Sequence, residues 1–534
     1  MARSFQSSYI PYTETGWFSK ISIDYLQRAS FLKEFYAFDV NDYGVRSAIE
    51  ARKLAPVNRA LLVDVLKKQY ETANHQTAVE ANIDGLLHEN TFTVCTAHQP
   101  NIFTGHLYFI YKILHTIKLA EELKKQYHPY NFVPVFFMGS EDADLEELNH
   151  VIIDGKKYTW HTRQTGAVGS MKVDDLLLKV IDEIASRLAV EEYGKDIIDA
   201  LKKCFQKNAS IAQSTFLFIH HLFGRYGLIV FLPESEVLKK EMTGIFEEDI
   251  FENIPSAIVN DTVNRLSAQY KVQANPRAIN LFYMKDNIRN RIVQKDEKYF
   301  VDDTDIAFTA DELRKELHTH PGRFSPNVIL RGIYQEKILP NIAFIGGGGE
   351  LAYWLELKTL FDNYHLPFPL LILRNSFLLI ENKYRRQYQK LGLTAKDLFQ
   401  QENLLLSEIV KKHTPHRLNL EEEKFQLRQT YTAIEKVAKD TDVTLAQHAE
   451  ALETAAFKKI EALEKKMLRA EKRKFADIKN QLAKLYSSLF PGNNLQERTE
   501  NFMLFYARWG NDFFDVLYKK SLTLEQEFCI IEEE

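Results

Sequence analysis

Three stretches of the sequence place amides, carboxylates and glycines directly after short apolar runs. The first is HQPNIFTGH, residues 98–106, between the run TFTVCTA and a long helical pattern. At such a strand-to-helix junction, an open parallel sheet exposes backbone N–H groups that bind ligands. Side-chain amides can hydrogen-bond a substrate without adding charge, and glycine permits a tight turn. The candidate substrate-binding residues of this stretch are His98, Gln99, Asn101, Thr104 and Gly105.

The same residues would also suit an ordinary turn, because Asn and Gly are common in turns. In the functional interpretation, Thr104 caps the following helix, whose positive dipole end then faces a ligand. The pair Gly105-His106 is also similar to part of the His-x-Gly-His signature of nucleotidyl-transfer enzymes, but the preceding histidine of that signature is absent.

The second stretch, GSEDADLEELNH at residues 139–150, contains several acids where another apolar run ends. Doubly wound folds hold their ligands at such strand ends. Carboxylates there could bind an ammonium group, hold Mg²⁺ or accept a proton from an attacking amine. We interpret Glu146 and Glu147 only as acids at a helix N-terminus, where negative charge is favourable. The candidate catalytic residues are Glu141, Asp142 and His150, and Ser140 is a candidate substrate-binding residue.

The third stretch, NIAFIGGGGELAYW at residues 341–354, runs from an apolar segment through four glycines into a helix. Four glycines let the backbone approach a ligand closely and leave N–H groups free for an anion. The run is neither a Walker A motif nor a dinucleotide-binding fingerprint. Nearby arginines could pair with carboxylates in a bidentate manner. The candidate substrate-binding residues are Gly346, Gly347, Gly348, Gly349, Glu350, Tyr353, Asn327, Arg331 and Arg374.

Composition narrows the class of protein. A chain of 534 residues with 45% hydrophobic and 26% charged residues is typical of a globular protein with two to four domains. The net charge of −5 argues against a nucleic-acid partner. The first residues lack a secretory signal, and no apolar run reaches the roughly 20 residues of a membrane span. Three scattered cysteines predict no metal site and indicate a reducing compartment, so we expect a cytoplasmic protein without a membrane partner.

The pattern of the chain predicts an α/β fold: a Rossmann-like, doubly wound parallel core with insertions, plus an α-helical coiled-coil domain. Apolar runs near 91–97, 132–140, 227–232, 341–346 and 369–374 are the expected core strands. We expect a helical segment packed on the core at 1–90, the catalytic core at 91–380, the coiled coil at 381–490 and a C-terminal helical segment at 491–534. The insertions are expected near 155–210 and 245–325.

A long apolar stripe dominates residues 440–489, with side chains three or four positions apart. One continuous helix of this length would be about 65 Å long, longer than a domain is wide. The preceding stretch 394–413 could pack antiparallel to it, which would make an intramolecular hairpin. Because one domain cannot cover so long a stripe, we favour a homodimer held through the coiled coil.

Together, the runs HQPNIFTGHLYFIYKILHTIKLA, VPVFFMGSEDADLEELNH and SPNVILRGIYQEKILPNIAFIGGGGELAYW resemble the cysteine ligase family of bacillithiol biosynthesis. The order of the runs, the chain length and the late coiled coil agree over essentially the whole chain. The resemblance implies a Rossmann-like core related to nucleotidyl-transfer folds and a coiled coil that supports a dimer. It also implies the last pathway step, in which L-cysteine is joined to glucosaminyl-malate.

Amide formation from a carboxylate requires activation, which ATP ordinarily supplies, so ATP is expected as a cofactor and Mg²⁺ could accompany it. The glycine run with Arg331 or Arg374 would then hold the malate carboxylates. Glu141 or Asp142 would hold an amino group, and one of these acids or His150 would accept the proton of the attacking amine. Two alternatives stay open: a nucleotidyltransferase-like enzyme acting on another small molecule, and a non-catalytic dimeric scaffold with a degenerate nucleotide-binding fold.

Overall fold

A computed structural model describes residues 3–414 and 417–534. The chain forms two compact units, of which the first contains residues 1–378 and 494–531. The second unit contains residues 379–493 and 532–534. Among the described residues, no helix combines the length and the apolar character that crossing a membrane requires.

The first unit is built on a five-stranded sheet in which every neighbouring pair of strands is parallel. In chain order its strands are β1 (Thr91–His98), β2 (Asn131–Met138), β3 (Ile229–Phe231), β4 (Asn341–Gly346) and β5 (Leu370–Leu373). Valine, isoleucine and phenylalanine fill them, and nearly every strand residue is buried, as in a sheet covered on both faces. All five strands expected from the apolar runs are present, and the doubly wound, Rossmann-like core is confirmed.

The spatial order of the strands is β5-β4-β1-β2-β3. The chain therefore builds the sheet outward from β1 through β2 and β3, and then crosses to the other side of β1 to place β4 and β5. The carboxyl ends of β1 and β4 flank this topological switch point, where open α/β sheets bind ligands. Three helices carry residues to that edge: α1 (Leu107–Gln126), α2 (Val328–Ile338) and α3 (Gly348–Leu355).

The remaining elements of the first unit surround this sheet. The N-terminal part has the strand Phe5–Pro11 and the helices Tyr12–Thr15, Lys20–Leu26, Asp42–Lys53, Arg59–Tyr70 and Thr77–Gly85. Between β2 and β3 lie the hairpin His150–Ile153 with Lys156–Thr159 and the helices Leu145–Leu148, Asp175–Leu188, Gly194–Cys204 and Ile211–Phe223.

Between β3 and α2 lie the helices Glu236–Lys239, Thr243–Glu247, Ile254–Ser267 and Ala310–Thr319. The same region forms an antiparallel sheet from Leu281–Lys285, Ile288–Lys295, Lys298–Val301, Ala307–Phe308 and Phe324–Pro326. After α3 come the helix Lys358–Asn363 and, much later in the chain, the helices Met503–Trp509 and Asn511–Lys520. The last strand, Glu527–Glu533, pairs beside Phe5–Pro11, so both terminal segments contain a strand where a helical pattern alone was expected.

The second unit is helical. After the strand Phe377–Ile380, its helices are Asn382–Lys390, Glu402–His413, Glu421–Thr441, Val443–Lys474 and Ala476–Leu489. The coiled-coil domain is confirmed, but the single helix expected over 440–489 is interrupted. One break falls at Asp442, whose side chain accepts from Thr444 N–H and starts a new helix, and another falls at Phe475. Helix Glu402–His413 packs on the last helix through a small apolar core of Leu405, Leu406, Ile409, Val410 and Leu482.

Candidate active site

A cleft of about 640 Å³ opens at the carboxyl edge of the parallel sheet. This volume is within the ordinary range for a small-molecule site. Residues from all three of the stretches singled out in the sequence line it. They are His98, Gln99, Glu141, Asp142, Asn327, Arg331, Gly347, Gly348, Gly349, Glu350, Tyr353 and Arg374. The topology explains this convergence, since parallel strands end at one edge.

Two residues of the first stretch reach the cleft. His98 ends β1, its ring stacks on Tyr108, and its Nε2 lies 3.2 Å from the Tyr108 hydroxyl. Its Nδ1 is buried without a hydrogen-bond partner. Burial, with the nearby Lys112 ammonium, holds the pKa of His98 well below its usual value, so the ring is neutral. Gln99 follows it and points its amide at carboxylates of the second stretch.

Asn101, Thr104 and Gly105 lie behind the cleft instead of lining it. Asn101 is buried and its Nδ2 lies 3.5 Å from the Glu147 carbonyl oxygen. Gly105 has φ +65°, and a Cβ there would lie 2.9 Å from Asn101 Cβ, so the turn requires glycine. Thr104 also has a positive φ, of 70°. These residues shape the turn that places Gln99.

The expected helix cap at Thr104 is wrong. The N-cap of α1 is His106, and no side chain caps this helix end. The Leu107 N–H, which would have met an anion, donates instead to the Glu500 carbonyl oxygen at 2.8 Å. His106 itself does not line the cleft, and its Nδ1 lies 2.9 Å from the Thr499 carbonyl oxygen. A far segment of the chain therefore covers the helix terminus that sequence reasoning assigned to a ligand.

The second stretch gives the cleft two acids, Asp142 and Glu147. Together with Gln99 of the first stretch, which bonds to both, they form what we call the acidic cluster. The Gln99 amide donates to Asp142 Oδ2 at 3.1 Å and to Glu147 Oε2 at 3.4 Å, which draws the two carboxylates together. Burial, together with repulsion by Asp144 and Asp142, raises the pKa of Glu147. Our interpretation of Glu147 as a mere helix-terminal acid was incomplete. One turn of helix, Leu145–Leu148, returns it to the cleft.

Glu141 lines the cleft but already has a cationic partner. Its carboxylate forms an ion pair with the ammonium of Lys239, which is completely buried and also donates to the Gly322 carbonyl oxygen at 3.2 Å. The carboxylate of Glu141 is thus already occupied. Asp142 and Glu147 also line the cleft and form no ion pair with another described residue, so they are the acids of this stretch that are open to a ligand amine.

His150 and Ser140 do not line the cleft. His150 begins the hairpin strand His150–Ile153, where burial lowers the pKa of its ring. Ser140 is fully buried, and its carbonyl oxygen accepts from Gly169 N–H at 3.0 Å. Both residues lie within twelve positions of the end of β2. Ser140 is buried beneath the surface of the cleft, and His150 lies beyond Glu147, where the chain turns away from the sheet.

In the third stretch, Glu350 closes the glycine turn on itself. Its Oε2 accepts from Gly347 N–H at 2.8 Å and from the Lys112 ammonium at 2.6 Å. Lys112 is 1% exposed and comes from α1, so this ion pair joins the two helices that flank the switch point. Glu350 is thus a positioning group for the turn, and the Gly347 N–H is not free for a ligand.

Gly348 and Gly349 form the first turn of α3, where N–H groups have no partner within the helix. A Cβ on Gly349 would meet nothing within 4 Å, and one on Gly348 would meet the Ser22 hydroxyl at 2.7 Å. None of the four glycines has a positive φ. Lack of space for a side chain therefore explains Gly346 and Gly348, and none of the four glycines is required by a left-handed backbone. Gly346 ends β4, is buried and does not line the cleft.

Two predicted arginines, the buried Arg374 and the half-buried Arg331, have defined partners. Arg374 Nη2 donates to Glu497 Oε1 at 2.7 Å, and its guanidinium lies 5.2 Å from the centre of the Tyr108 ring. Arg331 donates to the Tyr353 hydroxyl at 2.9 Å and to Gln335 Oε1 at 3.1 Å. Both arginines line the cleft, but part of each guanidinium is already hydrogen-bonded to protein side chains. Asn327 likewise uses its Oδ1 to cap α2 by accepting from Ile329 N–H at 2.8 Å.

Sequence reasoning missed an arginine supplied by the far end of the chain. Arg498 lines the cleft, and its side chain has no hydrogen bond or ion pair with another described residue. Arg498 is an exposed residue, so its guanidinium is accessible to a ligand. With Lys112 and Arg374 it forms a basic cluster in the cleft. No local motif marks Arg498, because only the tertiary fold brings residues 495–501 to the core sheet.

The segment that carries Arg498 is fastened to the core at several points. Buried Glu497 accepts from Arg374 and from the Ser376 hydroxyl, at 2.7 and 3.2 Å. Asn501 donates its side-chain amide to the carbonyl oxygens of Phe103 and Gly105. These contacts join the C-terminal segment to the 98–106 turn and fix the backbone on both sides of Arg498.

Among residues 3–414 and 417–534, no group of three or more His, Cys, Asp and Glu side chains is arranged to hold a metal ion. Asp142 and Glu147 still offer two adjacent carboxylates. Mg²⁺ is commonly bound by one or two carboxylates together with substrate phosphates.

Comparison with known proteins assigns the family. The N-terminal Rossmann-like domain model of bacillithiol biosynthesis BshC matches residues 5–375, and the C-terminal coiled-coil domain model of BshC matches residues 377–533. The chain belongs to the BshC family. Both matched regions agree with the resemblance seen in the sequence, and the role in bacillithiol biosynthesis follows from this membership.

Curated relatives cover nearly the whole chain. A protein of Flavobacterium johnsoniae named "Putative cysteine ligase BshC" is 39% identical over 528 residues, covering 98% of this chain and 99% of the relative. A BshC relative of Flavobacterium psychrophilum is 37% identical and covers 98% of each chain. One from Cytophaga hutchinsonii is 38% identical and covers 94% of each chain. The names of these BshC proteins are consistent with a ligase.

Proposed function

We propose that this BshC protein joins L-cysteine to glucosaminyl-malate by forming an amide bond between the cysteine carboxyl group and the amino group of the sugar. The observation that carries the proposal is the pairing, within one cleft, of the basic cluster with the acidic cluster. An acceptor with two carboxylates and one amine needs both kinds of subsite.

In this proposal the basic cluster binds the malate carboxylates. Arg498 has an uncommitted guanidinium, which can hold a carboxylate through two parallel hydrogen bonds. The N–H groups of Gly348 and Gly349, which have no partner within the helix, add donors at the positive end of α3. Tyr108, whose pKa is raised to about 12 by burial, stays protonated and adds a further hydroxyl donor.

The acidic cluster receives the amine. Asp142 and Glu147 attract the ammonium form and orient it through the Gln99 amide that already joins them. As the amine nitrogen bonds to the activated cysteine carboxyl carbon, the activating group leaves this carbon with its bonding electrons. The nitrogen loses a proton, which a neighbouring carboxylate can accept. Glu147 suits this step because burial and neighbouring acids raise its pKa toward the working range of a general base.

We propose ATP as the second small molecule, with Mg²⁺ as its companion. ATP would supply the activation that the cysteine carboxylate needs. The residues of this chain then bind the acceptor, align its amine and take up the proton.

We further propose a cytoplasmic homodimer. Cys95, Cys204 and Cys529 are all free thiols, as in proteins of a reducing compartment. The helices Glu421–Thr441 and Val443–Lys474 leave large apolar side chains 43–71% exposed. These are Phe425, Ile434, Val437, Val443, Leu445, Leu452 and Leu463. A second copy of the coiled coil would cover them.

The test is a reaction of the purified protein with glucosaminyl-malate, L-cysteine, ATP and Mg²⁺, followed by mass spectrometry. The expected product is the cysteinyl amide, formed only when all three organic substrates are present. The variant Glu147→Gln should lose turnover. The variant Glu146→Gln is the control and should retain it, because Glu146 does not line the cleft. Nucleotide consumption without dependence on cysteine, or amide formation on an unrelated amine at equal rate, would refute the proposal.

A further inference from the structure

A loop without regular secondary structure forms part of the cleft wall. It runs from Gln273 to Asn280, between the helix Ile254–Ser267 and the strand Leu281–Lys285. Gln273 lines the cleft, and its side-chain amide makes no hydrogen bond to any other described residue. A free amide at this position has one acceptor and two donors available for a ligand.

One end of this loop is held by a buried carboxylate. Glu356, which directly follows α3, is 1% exposed. Its Oε1 accepts from Gln273 N–H at 2.7 Å, and its Oε2 accepts from Ala274 N–H at 3.1 Å. These two bonds fix the backbone of the one loop residue that reaches the cleft.

The other end is held in the same way. Asp249 is 0% exposed, and its Oδ2 accepts from Asn280 N–H at 2.6 Å while its Oδ1 accepts from the Asn280 side-chain amide at 2.9 Å. Asn280 Oδ1 in turn accepts from the amide of Asn327, a cleft residue, at 3.0 Å. The loop is thus tied to the cleft wall at both ends.

Neither carboxylate has a cationic partner among the described residues. Burial raises the pKa of both Glu356 and Asp249 to about 7. An uncompensated buried carboxylate opposes folding. Two such groups on one loop indicate that the position of the loop matters for function, since proteins break local rules mainly at functional sites.

We propose that Gln273 binds hydroxyl groups of the sugar ring of the acceptor, and that Glu356 is the positioning residue that holds Gln273 in place. This inference rests on the proposed function. The glycines begin helix α3 and Glu356 directly follows its last residue, so Glu356 anchors Gln273 beside the end of the helix opposite the glycines. If the malate carboxylates lie at the glycine end, the sugar ring extends toward Gln273.

A sugar fits this wall better than a purine does. The loop and the two residues before it, KVQANPRAIN at residues 271–280, contain no aromatic residue on which a base could stack. Lys271, Asn275 and Arg277 are exposed polar side chains. Purine and other ring bases are commonly held against aromatic or apolar surfaces. Side-chain amides, in contrast, match the mixed donor and acceptor character of hydroxyl groups.

Binding measured by isothermal titration calorimetry tests the inference without requiring turnover. Glucosaminyl-malate and malate are titrated into the wild-type protein and into Gln273→Ala, with malate measured by competition if it binds weakly. The loss of one neutral hydrogen bond should weaken glucosaminyl-malate binding roughly three- to tenfold. Malate binding should not change. Asn275→Ala, an exposed loop residue outside the cleft, is the matched control and should bind both ligands normally.

The positioning role is tested by a double-mutant cycle. Glu356→Gln alone should weaken glucosaminyl-malate binding about as much as Gln273→Ala, and should add little in the Gln273→Ala background. Glu356→Asp, which keeps the carboxylate, should recover part of the binding. Equal effects on malate, or additive losses, would show a general structural role and overturn the inference.

The outcomes are distinct from those of the proposed function. A wild-type protein that binds no glucosaminyl-malate overturns both statements. A wild-type protein that binds it, together with a Gln273→Ala variant of unchanged affinity, overturns only the role of Gln273. Weaker affinity of Gln273→Ala for ATP with normal affinity for glucosaminyl-malate would assign the loop to the nucleotide and would also overturn the sugar assignment.

Discussion

The Lys112 ammonium lies 2.6 Å from Glu350 Oε2, in an ion pair whose lysine is almost completely buried. The lysine also donates to the Ala97 carbonyl oxygen at the end of β1. It therefore connects β1, α1 and the glycine turn, which are the three elements that meet at the topological switch point. This ion pair is the clearest single determinant of the geometry of the cleft.

Lys112→Met should lose both activity and stability. Removing one member of a buried ion pair leaves a buried charge without a partner, which costs about 3–5 kcal/mol. We expect a lower unfolding midpoint in chemical denaturation and at least a hundredfold lower kcat/KM. Lys125→Met, which removes an exposed lysine of the same helix, is the control and should change neither. Wild-type activity in Lys112→Met would show that the glycine turn does not need this bond.

Gly349→Val should abolish activity while leaving the fold intact. A side chain at this position meets no protein atom within 4 Å and requires no positive φ, so folding tolerates it. The same side chain would cover the N–H groups that we assign to an anion. The measurements are turnover and thermal unfolding. Gly244→Val is the matched control, because it too is a glycine of a helix with open space around it. Normal turnover in Gly349→Val would remove the glycine run from the binding site.

The acidic cluster should determine the acid limb of the pH–rate profile. Burial and nearby carboxylates raise the pKa of Glu147, so activity should fall as the pH drops through that raised value and the base becomes protonated. Glu147→Gln should lower kcat by about 10²–10⁴-fold, the usual contribution of a general base, and should remove this limb. Asp142→Asn, which keeps a hydrogen-bonding side chain beside Gln99, should weaken acceptor binding more than it lowers kcat. An unchanged pH profile in Glu147→Gln would contradict its role as base.

Glu356 should make the protein less stable as the pH rises. Burial raises its folded pKa to about 7, well above the ordinary value of a glutamate. Between these values the folded state binds more protons than the unfolded state, so unfolding free energy decreases with rising pH. The full effect is on the order of 3 kcal/mol between pH 4 and pH 8. Urea unfolding of Glu356→Gln should show a flatter pH dependence than wild type across this range. Parallel curves for the two proteins would disprove an ionisable buried Glu356.

The dimer proposal can be tested on one helix. Leu452 and Leu463 are 47% and 50% exposed on Val443–Lys474. If a second copy covers them, light scattering should give twice the monomer mass at micromolar concentration, and the double change to Glu should give a folded monomer. Lys459→Glu, at an exposed charged position of the same helix, should remain dimeric. A wild-type monomer at that concentration would refute the dimer.

The sequence by itself determined the architecture of the core. Five apolar runs of strand length, separated by helical patterns, can only be buried on both faces of a parallel sheet, because each run lacks a polar face. Residues at the ends of those runs must then meet at one edge. In the structure, Gln99, Asp142 and Gly348, which follow three of these strands, do line one cleft.

The tertiary structure decided which polar groups are free to bind a ligand. Residue type and spacing do not reveal partners that arrive from far along the chain. Glu500 closes the N-terminus of α1, Lys239 neutralises Glu141, and Glu497 occupies Arg374, across separations of 98 to 393 residues. Long-range packing also brings Arg498 to the cleft, and no sequence motif indicates this position. A local pattern can indicate where a strand ends, but only packing determines whether the charge at that end is already paired.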